Sequence, residues 1–183
     1  TAVAELVARL MNAGSAVVAL DIVFAEPDRT SPENLLLSFG DIEAARGLRE
    51  AIDSGELAQH DPYLAEILVQ GPSVGGFIPT NHNTGSLPIV KGGLALSGDD
   101  PIPFLRSYPG AIGNLPVIDK ALAGSGSLSP VFDSDGVIRR VPLFVVVGGQ
   151  IYPSLAAEAL RVAQGASSMI IKSSGASGET AFG

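Results

Sequence analysis

The sequence predicts a single α/β domain. We expect a mixed β-sheet that is parallel in its first half and an antiparallel meander in its second half, with helices on both faces. Three patterns carry this prediction. Residues 3–11 place apolar side chains at helical spacing. Residues 16–24 are apolar and rich in β-branched side chains, which is typical of a strand covered on both faces. Residues 133–136 put Asp-Gly between two extended runs, which indicates a β-hairpin.

The first half alternates helices and strands. Gly14 suits the end of the first helix, where a positive φ costs little. Ser31, Pro32 and Glu33 suit the N-cap and first turn of a second helix. Two more helices, over residues 42–52 and from Asp61, precede a strand over residues 73–79. This alternation favours parallel strands joined by crossover helices.

The second half opens with an irregular segment, residues 80–113, which is rich in proline and glycine. We expect one short strand near residues 89–96 within it. Asn114 is predicted to cap a helix that runs to Leu122. Further elements are predicted as strands over 127–132 and 137–147, a turn at Gly148 and Gly149 into a strand over 150–152, a helix from Pro153, and a last strand over 168–172.

Composition limits the function classes. The 183 residues carry 11 basic and 19 acidic side chains, a formal charge of −8, and no cysteine. Residues 1–66 hold all of the acidic excess, because residues 67–183 contain equal numbers of acidic and basic side chains. An acidic chain lacks the basic face that nucleic-acid binding requires. The absence of cysteine excludes disulfides and thiolate metal sites. A chain of this length buries roughly 70% of its unfolded surface, so one core suffices.

The mean hydropathy of +0.34 calls for a check for membrane spans. The longest apolar runs, residues 15–20 and 141–147, fall far below the roughly 18 residues that a spanning helix needs. The sequence begins inside a helical pattern, so we expect it to be a piece of a longer protein. We assign residues 1–172 to the domain and residues 173–183 to a small, polar, frayed tail.

Polar side chains follow the two predicted parallel strands. Asp21, Glu26, Asp28 and Arg29 come after the first strand. Ligands favour the crevice at the carboxyl ends of parallel strands, so this loop predicts a pocket for a small ligand or cation. The alternative is structural: Asp21 is buried and caps backbone amides, and residues 26–29 form an ordinary ion-paired turn.

Two further positions extend this candidate site. Asn81 and His82 follow the second strand and are expected on the same edge as Asp21. Arg139 and Arg140 point to opposite faces of their strand, so one of them, with Arg139 as our candidate, can reach inward to a carboxylate such as Asp21.

Signs of catalysis are weak. Asp133 and Asp135 resemble half a calcium loop, but the distal glutamate is missing, so a hairpin turn is favoured. His60 and His82 are isolated and lack zinc-ligand spacing. The sequence has no phosphate-binding loop or nucleophile elbow, and its degraded glycine motif at residues 124–129 precedes a strand. We predict no cofactor.

Two segments together resemble the type-two CHASE domain, the cyclase- and histidine-kinase-associated sensory extracellular domain of bacterial receptors. Residues 21–32 (DIVFAEPDRTSP) are similar to its strand and acidic loop. Residues 133–143 (DSDGVIRRVPL), followed by 149–160 (GQIYPSLAAEAL), are similar to its second signature. The resemblance covers most of residues 1–166. It implies an extracytoplasmic sensor module with a membrane helix before it, several after it, and a cytoplasmic cyclase or kinase output.

The leading hypothesis is therefore the extracytoplasmic signal-input domain of a bacterial transmembrane receptor, such as an adenylate or guanylate cyclase or a histidine kinase. We expect a homodimer that answers an unknown small-molecule or protein signal and meets the membrane only through segments outside this sequence. The candidate sensing surface comprises the residues named above: Asp21, Glu26, Asp28, Arg29, Asn81, His82 and Arg139.

Two alternatives stay open. One is a metal-dependent hydrolase that uses Asp21, Asp28, Asp133 and Asp135 as oxygen ligands. The other is an extracytoplasmic spacer that mediates dimerisation without a ligand.

Overall fold

Three parallel strands form the centre of the fold, and helices pack on both faces of their sheet. The computed structural model describes residues 2–39, 43–55, 57, 59–129, 131–132 and 134–175. Short 3-10 helices lie at Glu43–Ala45 and Ile102–Phe104. The elements are α1 (Ala2–Asn12), β1 (Val18–Leu20), α2 (Pro32–Phe39), α3 (Arg46–Asp53), α4 (His60–Leu68), β2 (Ser73–Thr80), β3 (Gly93–Ser97), β4 (Ser107–Tyr108), β5 (Gly110–Ile112), α5 (Pro116–Ala121), β6 (Gly124–Ser127), β7 (Val131–Phe132), β8 (Ile138–Arg140), β9 (Phe144–Val147), β10 (Gln150–Pro153), α6 (Leu155–Ala163) and β11 (Ser168–Lys172).

The central sheet is mixed, as predicted. Strand β2 pairs in parallel with β1, where Val18 lies opposite Ser73, and with β6, where Val74 lies opposite Gly124. Its far end pairs antiparallel with β5. The remaining described strands form three smaller sheets, β10–β9–β4, β11–β3 and β7–β8, instead of extending the central one. The α/β class is confirmed, but its strands are divided among four sheets.

The first face of the central sheet carries the main apolar core. Helices α1, α4 and α5 pack there, because α1 and α4 present apolar stripes and β1 turns alternate residues toward them. The buried cluster comprises Ala4, Val7, Val18, Leu20, Leu64, Leu68, Ile118 and Leu122.

Helix α6 covers the opposite face, and two glycines of β6 let it approach closely. A Cβ added at Gly126 would lie 2.4 Å from Cα of Leu155. A Cβ added at Gly124 would lie 2.6 Å from Oε1 of Glu158. Because only glycine leaves this space, the backbone of α6 rests directly on the strand.

A buried ion pair fixes the far end of α6. Arg161 Nη2 lies 2.6 Å from Oε1 of Glu158, and both side chains are nearly inaccessible. Arg161 also donates to the carbonyl oxygens of Ala166 and Ala123. The hydrogen bond to Glu158 raises the pKa of Arg161. These bonds tie α6 to both the turn before β6 and the turn before β11.

The first strand is shorter than predicted. Pairing in β1 stops at Leu20, and Ala19 is exposed, so the strand is not covered on both faces. The chain then leaves the sheet, because the backbone N–H of Phe24 donates to Oδ1 of Asn114 and its carbonyl accepts from the N–H of Leu115. The local sequence after Leu20 favours an extended strand. The bonds from Phe24 to Asn114 and Leu115 instead hold this segment in an irregular conformation.

Asn114 does not cap α5. The N-cap position is Leu115, and it makes no side-chain capping bond. The Asn114 amide instead donates to the carbonyl of Gly76, while its oxygen holds Phe24. Its side chain therefore joins the segment after β1 to the middle of β2.

The two predicted hairpins differ in their turns. Strands β7 and β8 pair antiparallel, as predicted, but with a bulge. Among the described residues only glycines have positive φ, so Asp135 does not form the type I′ turn and Gly136 alone takes φ 78°. The pair of positive φ values that this turn type requires occurs at Gly148 (56°) and Gly149 (83°), between β9 and β10.

The second half is less of a meander than predicted, because β6 and β11 pair in parallel. Contact with the β3 end also continues past β11. Ser173 donates its N–H to Ser97, and Ser174 accepts from Asp99. The rest of the predicted tail, residues 176–183, lies outside the described residues.

We predict that Gly126→Ala destabilises the fold by about 3 kcal/mol, because the new methyl group overlaps the backbone of α6. Urea unfolding measures this free energy.

The control is Gly47→Ala in α3, where a Cβ would meet nothing within 4 Å. It should stay within about 1 kcal/mol of the parent, in the stabilising direction, because alanine favours helix. Equal effects of the two substitutions would contradict the close-approach argument.

Candidate functional site

A cavity of about 780 Å³ opens where β1 and β6 end and α6 begins. Asp21 follows the last residue of β1, and Ser127 is the last residue of β6. Ser154 is the N-cap of α6. The cavity therefore occupies the crevice at the carboxyl ends of parallel strands, the position that Asp21 predicted. Its apolar wall comprises Ala19, Ile78, Leu128, Ile138, Val141, Leu155 and Ala156.

The apolar wall is open to solvent. Ala19 lines it because strand alternation turns Val18 and Leu20 to the opposite face, into the core of α1, α4 and α5. Ile78 is 44% exposed and Val141 is 59% exposed. Large aliphatic side chains left together at a surface typically mark a place where something binds.

The hydroxyl groups of the cavity already have partners. The hydroxyls of Ser127 and Ser129 hydrogen-bond to each other. Oγ of Ser154 accepts from the N–H of Ala157 at 3.2 Å, which caps α6. Among the described residues that line the cavity, Asp21 is the one with a charged side chain.

Asp21 is exposed, and no hydrogen bond or ion pair joins its side chain to another described residue. The structural alternative, in which Asp21 is buried and caps backbone amides, is therefore wrong. Its carboxylate stands at the mouth of an apolar cavity with no charge beside it in the described wall.

The loop after Asp21 is held by Asp28. Oδ1 of Asp28 accepts from the N–H of Thr30 at 2.8 Å and from its hydroxyl at 2.7 Å. Oδ2 lies 2.9 Å from Nδ1 of His60, at the start of α4. The backbone of Asp28 is held too, since its N–H donates to Asp61 and its carbonyl accepts from Asn34. The loop is thus fastened to α2 and α4.

These bonds stabilise the ionised form of Asp28. The N–H and then the hydroxyl of Thr30 lower the pKa of Asp28 from 3.8 to about 2, and His60 adds to this effect against a small cost of burial. Glu26 and Arg29 form an exposed ion pair at 3.1 Å. Residues 26–29 therefore form the ion-paired turn of the structural alternative.

The predicted site residues are distributed over several places. Asp21 lines the large cavity, whereas Glu26 and Asp28 line a separate one of about 260 Å³ beside α1 and α4. Asn81 and His82 are exposed beyond the end of β2. Strand β2 runs five residues past the level of Leu20, roughly 16 Å, so its end does not meet the end of β1.

No arginine of β8 reaches inward. Arg139 and Arg140 are both exposed, so the expectation that one of them enters the core is wrong. Arg139 instead forms two bonds to Asp135, at 2.8 and 2.9 Å. Arg139 and then the N–H of Val137 lower the pKa of Asp135. The hairpin is bulged and edges a two-stranded sheet, so neither face of β8 is covered.

The described residues contain no group of three histidine or acidic side chains arranged to hold a metal ion. Asp28 and Asp135 are engaged with protein partners, as described above. Asp133, the fourth proposed metal ligand, lies outside the described residues.

Sequence reasoning missed a buried polar cluster behind the sheet. Asp119 accepts from the hydroxyl of Ser125 at 3.1 Å and from the N–H of Ile89 at 3.1 Å. The hydroxyl of Tyr152 donates to the carbonyl of Pro88 at 3.0 Å. Burial, and then the charge of Asp119, raise the pKa of Tyr152. This cluster fixes the irregular segment before β3. In the sequence, only Tyr152, a tyrosine within an otherwise apolar predicted hairpin, indicated this cluster.

The aliphatic wall of the large cavity was also missed. The sequence around Ile78, Leu128 and Val141 does not distinguish them from buried core residues. None of the helices in the described part of the chain is long and apolar enough to cross a membrane.

A mixed α/β domain with an apolar crevice at its strand ends has the form of a binding module. The model of the CHASE2 domain family matches residues 1–182, and the chain belongs to this family. CHASE2 domains are sensory, non-catalytic domains found in receptors, and they are typically extracellular. A search of curated proteins and a search of solved structures each gave no significant match.

We predict that Asp28→Asn removes an acid-sensitive part of the stability. The pKa of Asp28 is lower in the folded state, so its contribution is present above pH 4 and is lost as the pH falls from about 4 toward 2. At pH 6 the variant should lose about 1 kcal/mol, since solvent screens this partly exposed carboxylate. Urea unfolding at several pH values measures the difference.

The matched control is Asp21→Asn, because Asp21 has no described partner. At pH 6 it should cost less stability than Asp28→Asn does, because no described hydrogen bond is lost. An Asp28→Asn curve that runs parallel to the parent curve over this range would show that the Thr30 and His60 bonds do not stabilise the ionised form.

Proposed function

We propose that this chain is the extracytoplasmic signal-input domain of a bacterial transmembrane receptor, whose cytoplasmic output is an adenylate or guanylate cyclase or a histidine kinase. The family match over residues 1–182 carries the proposal, since it makes the chain a sensory domain. Membrane attachment is assigned to segments outside this sequence.

The large cavity supports a sensory role. Its wall takes residues from four strands, β1, β2, β6 and β8, and from the first turn of α6. A ligand there contacts separate elements at once, so it can favour one packing of them over another. Such differential affinity is what a signal requires, because a ligand that binds two arrangements equally shifts neither.

The predicted site residues take different parts in this proposal. Asp21 contacts the signal molecule. Glu26, Asp28 and Arg29 hold the adjoining loop in shape, and the geometry of Asp28 supports this division. Asn81, His82 and Arg139 are exposed and stay candidates for contact with a larger partner.

The proposal includes a homodimer as the signalling unit. A shallow groove between α4 and α5 supports it, because Val69 is 69% exposed there and Val117 is 41% exposed. Glu66 and Lys120 stand on opposite sides of the groove. A two-fold pairing would set each acidic side against the basic side of the other copy.

Cysteine labelling in whole cells tests the location. The chain has no cysteine, so Phe104→Cys in the full-length receptor adds one thiol at a side chain that is 88% exposed. We expect a membrane-impermeant maleimide to label it in intact cells above the parent background.

Val147→Cys, at a side chain that is 0% exposed, is the control and should label only after denaturation. Labelling of Phe104→Cys that requires lysis of the cells would contradict an extracytoplasmic location.

Filling the cavity tests the coupling to output. Ala19→Phe places a large side chain in the wall of the cavity, so it should hold the domain in one packing and change the basal output activity of the full-length receptor severalfold in either direction. Ala95→Phe is the matched control, because Ala95 is also an exposed strand alanine and lies in β3, outside this wall. Equal output from the parent and from a folded Ala19→Phe receptor would contradict the sensory role of the cavity.

A further inference from the structure

We infer that the cavity beside Asp21 binds a small organic cation, an amine carried on an apolar body. The inference rests on the proposed sensory function and names the chemical class of its signal. Size is the first argument. A volume of about 780 Å³ lies within the range of sites that take drug-sized ligands, roughly 300–1,000 Å³.

The wall determines the body of the ligand. Aliphatic side chains from four elements face the space, among them Ile78, Leu128 and Leu155. The hydroxyls of Ser127, Ser129 and Ser154 are engaged with protein partners, as described above. Three serine hydroxyls offer few hydrogen bonds, so a ligand with many polar groups would lose more hydration there than these hydroxyls could replace, whereas an apolar body would gain.

The single carboxylate determines the charge of the ligand. Asp21 is exposed at the cavity and has no partner among the described residues. No lysine, arginine or histidine is among the described residues that line the cavity, so Asp21 would repel an anion and only the N-terminus of α6, whose first turn lines the cavity, would attract one. An ammonium group would find in Asp21 a charged acceptor, and charge-assisted hydrogen bonds of this kind are short and strong.

A bare metal cation fits the site less well. Calcium takes six to eight oxygen ligands, and magnesium demands a near-octahedral set. The described residues hold no cluster of acidic or histidine side chains that would supply such a set, whereas an organic cation needs one carboxylate and an apolar surface.

The test compares three probes that share one body. We would titrate the 183-residue chain calorimetrically with 4-phenylbutylamine, 4-phenylbutanol and 4-phenylbutyrate. The amine should bind about tenfold more tightly than the alcohol, the anion should bind least, and the preference for the amine should weaken as salt rises. Asp21→Asn should bring the affinity for the amine down to that for the alcohol.

Two variants separate the site from general association of an apolar amine. Asp53→Asn, at an exposed acid of α3, should leave the affinity for the amine unchanged. Ala19→Phe should abolish binding of both the amine and the alcohol, because it fills the space.

Three results would overturn the inference. They are an amine that shows no saturable binding, equal affinities for the amine and the alcohol, and an Asp21→Asn effect no larger than that of Asp53→Asn. A change of mass in light scattering on Ala19→Phe would also overturn it, because a second copy of the chain would then occupy the cavity.

Failure here is distinct from failure of the proposed function. If no probe binds but Ala19→Phe changes receptor output, the sensory role stands and the ligand class is wrong. If the amine binds but Phe104→Cys is labelled only after lysis, the site stands and the extracytoplasmic assignment is wrong.

Discussion

The direct contact of α6 with β6 is the constraint on which the rest of the molecule depends. Gly124 and Gly126 remove the side chains that would separate helix from strand. The buried pair of Glu158 and Arg161 then secures the far end of the helix. A buried ion pair repays its desolvation only when its remaining donors are satisfied, and Arg161 meets this condition through two carbonyl oxygens. The position of the helix follows from these two features.

The cavity is a consequence of that arrangement. With α6 pressed onto β6, its first turn stands beside the strand ends, and the bulged β7–β8 hairpin closes a further side with Ile138. The acidic loop after β1 has a different task. Asp28 fastens it to α2 and α4, so the excess negative charge in the first third of the chain is partly structural. Of the acidic residues described in this third, Asp21 is the one that lines the large cavity.

Local pattern was sufficient for much of the fold. The helical stripe of α1, the start of α2 at Pro32 and the glycine pair between β9 and β10 are local signals, and the structure confirms each. Asn114 shows where such reasoning fails. Its cap-like position before a proline helix is local, but its partners, Phe24 and Gly76, are 90 and 38 residues away. Long-range partners leave no trace in the spacing of neighbouring residues.

Part of the candidate site could likewise be predicted from local sequence, and part of it could not. Asp21 could be found because a charge interrupts an apolar strand, and strand ends collect ligands. The aliphatic wall could not be found, because Ile78 resembles any core residue until its surroundings are known. The prediction that Arg139 reaches inward was wrong for a related reason. Alternation along a strand assumes that one face is covered, and β8 has no covered face.

The pairing of β11 with β3 has a consequence for how the chain folds. Residues 93–97 find their described strand partner in residues 168–172, so this small sheet cannot close until nearly the whole domain has left the ribosome. Pairings across such separations are slow, because loop-closure entropy must be overcome before the contacts form. Strand β3 therefore waits for its partner until late in synthesis, and its unpaired edge, with the exposed side chain of Leu96, stays open to aggregation until β11 arrives.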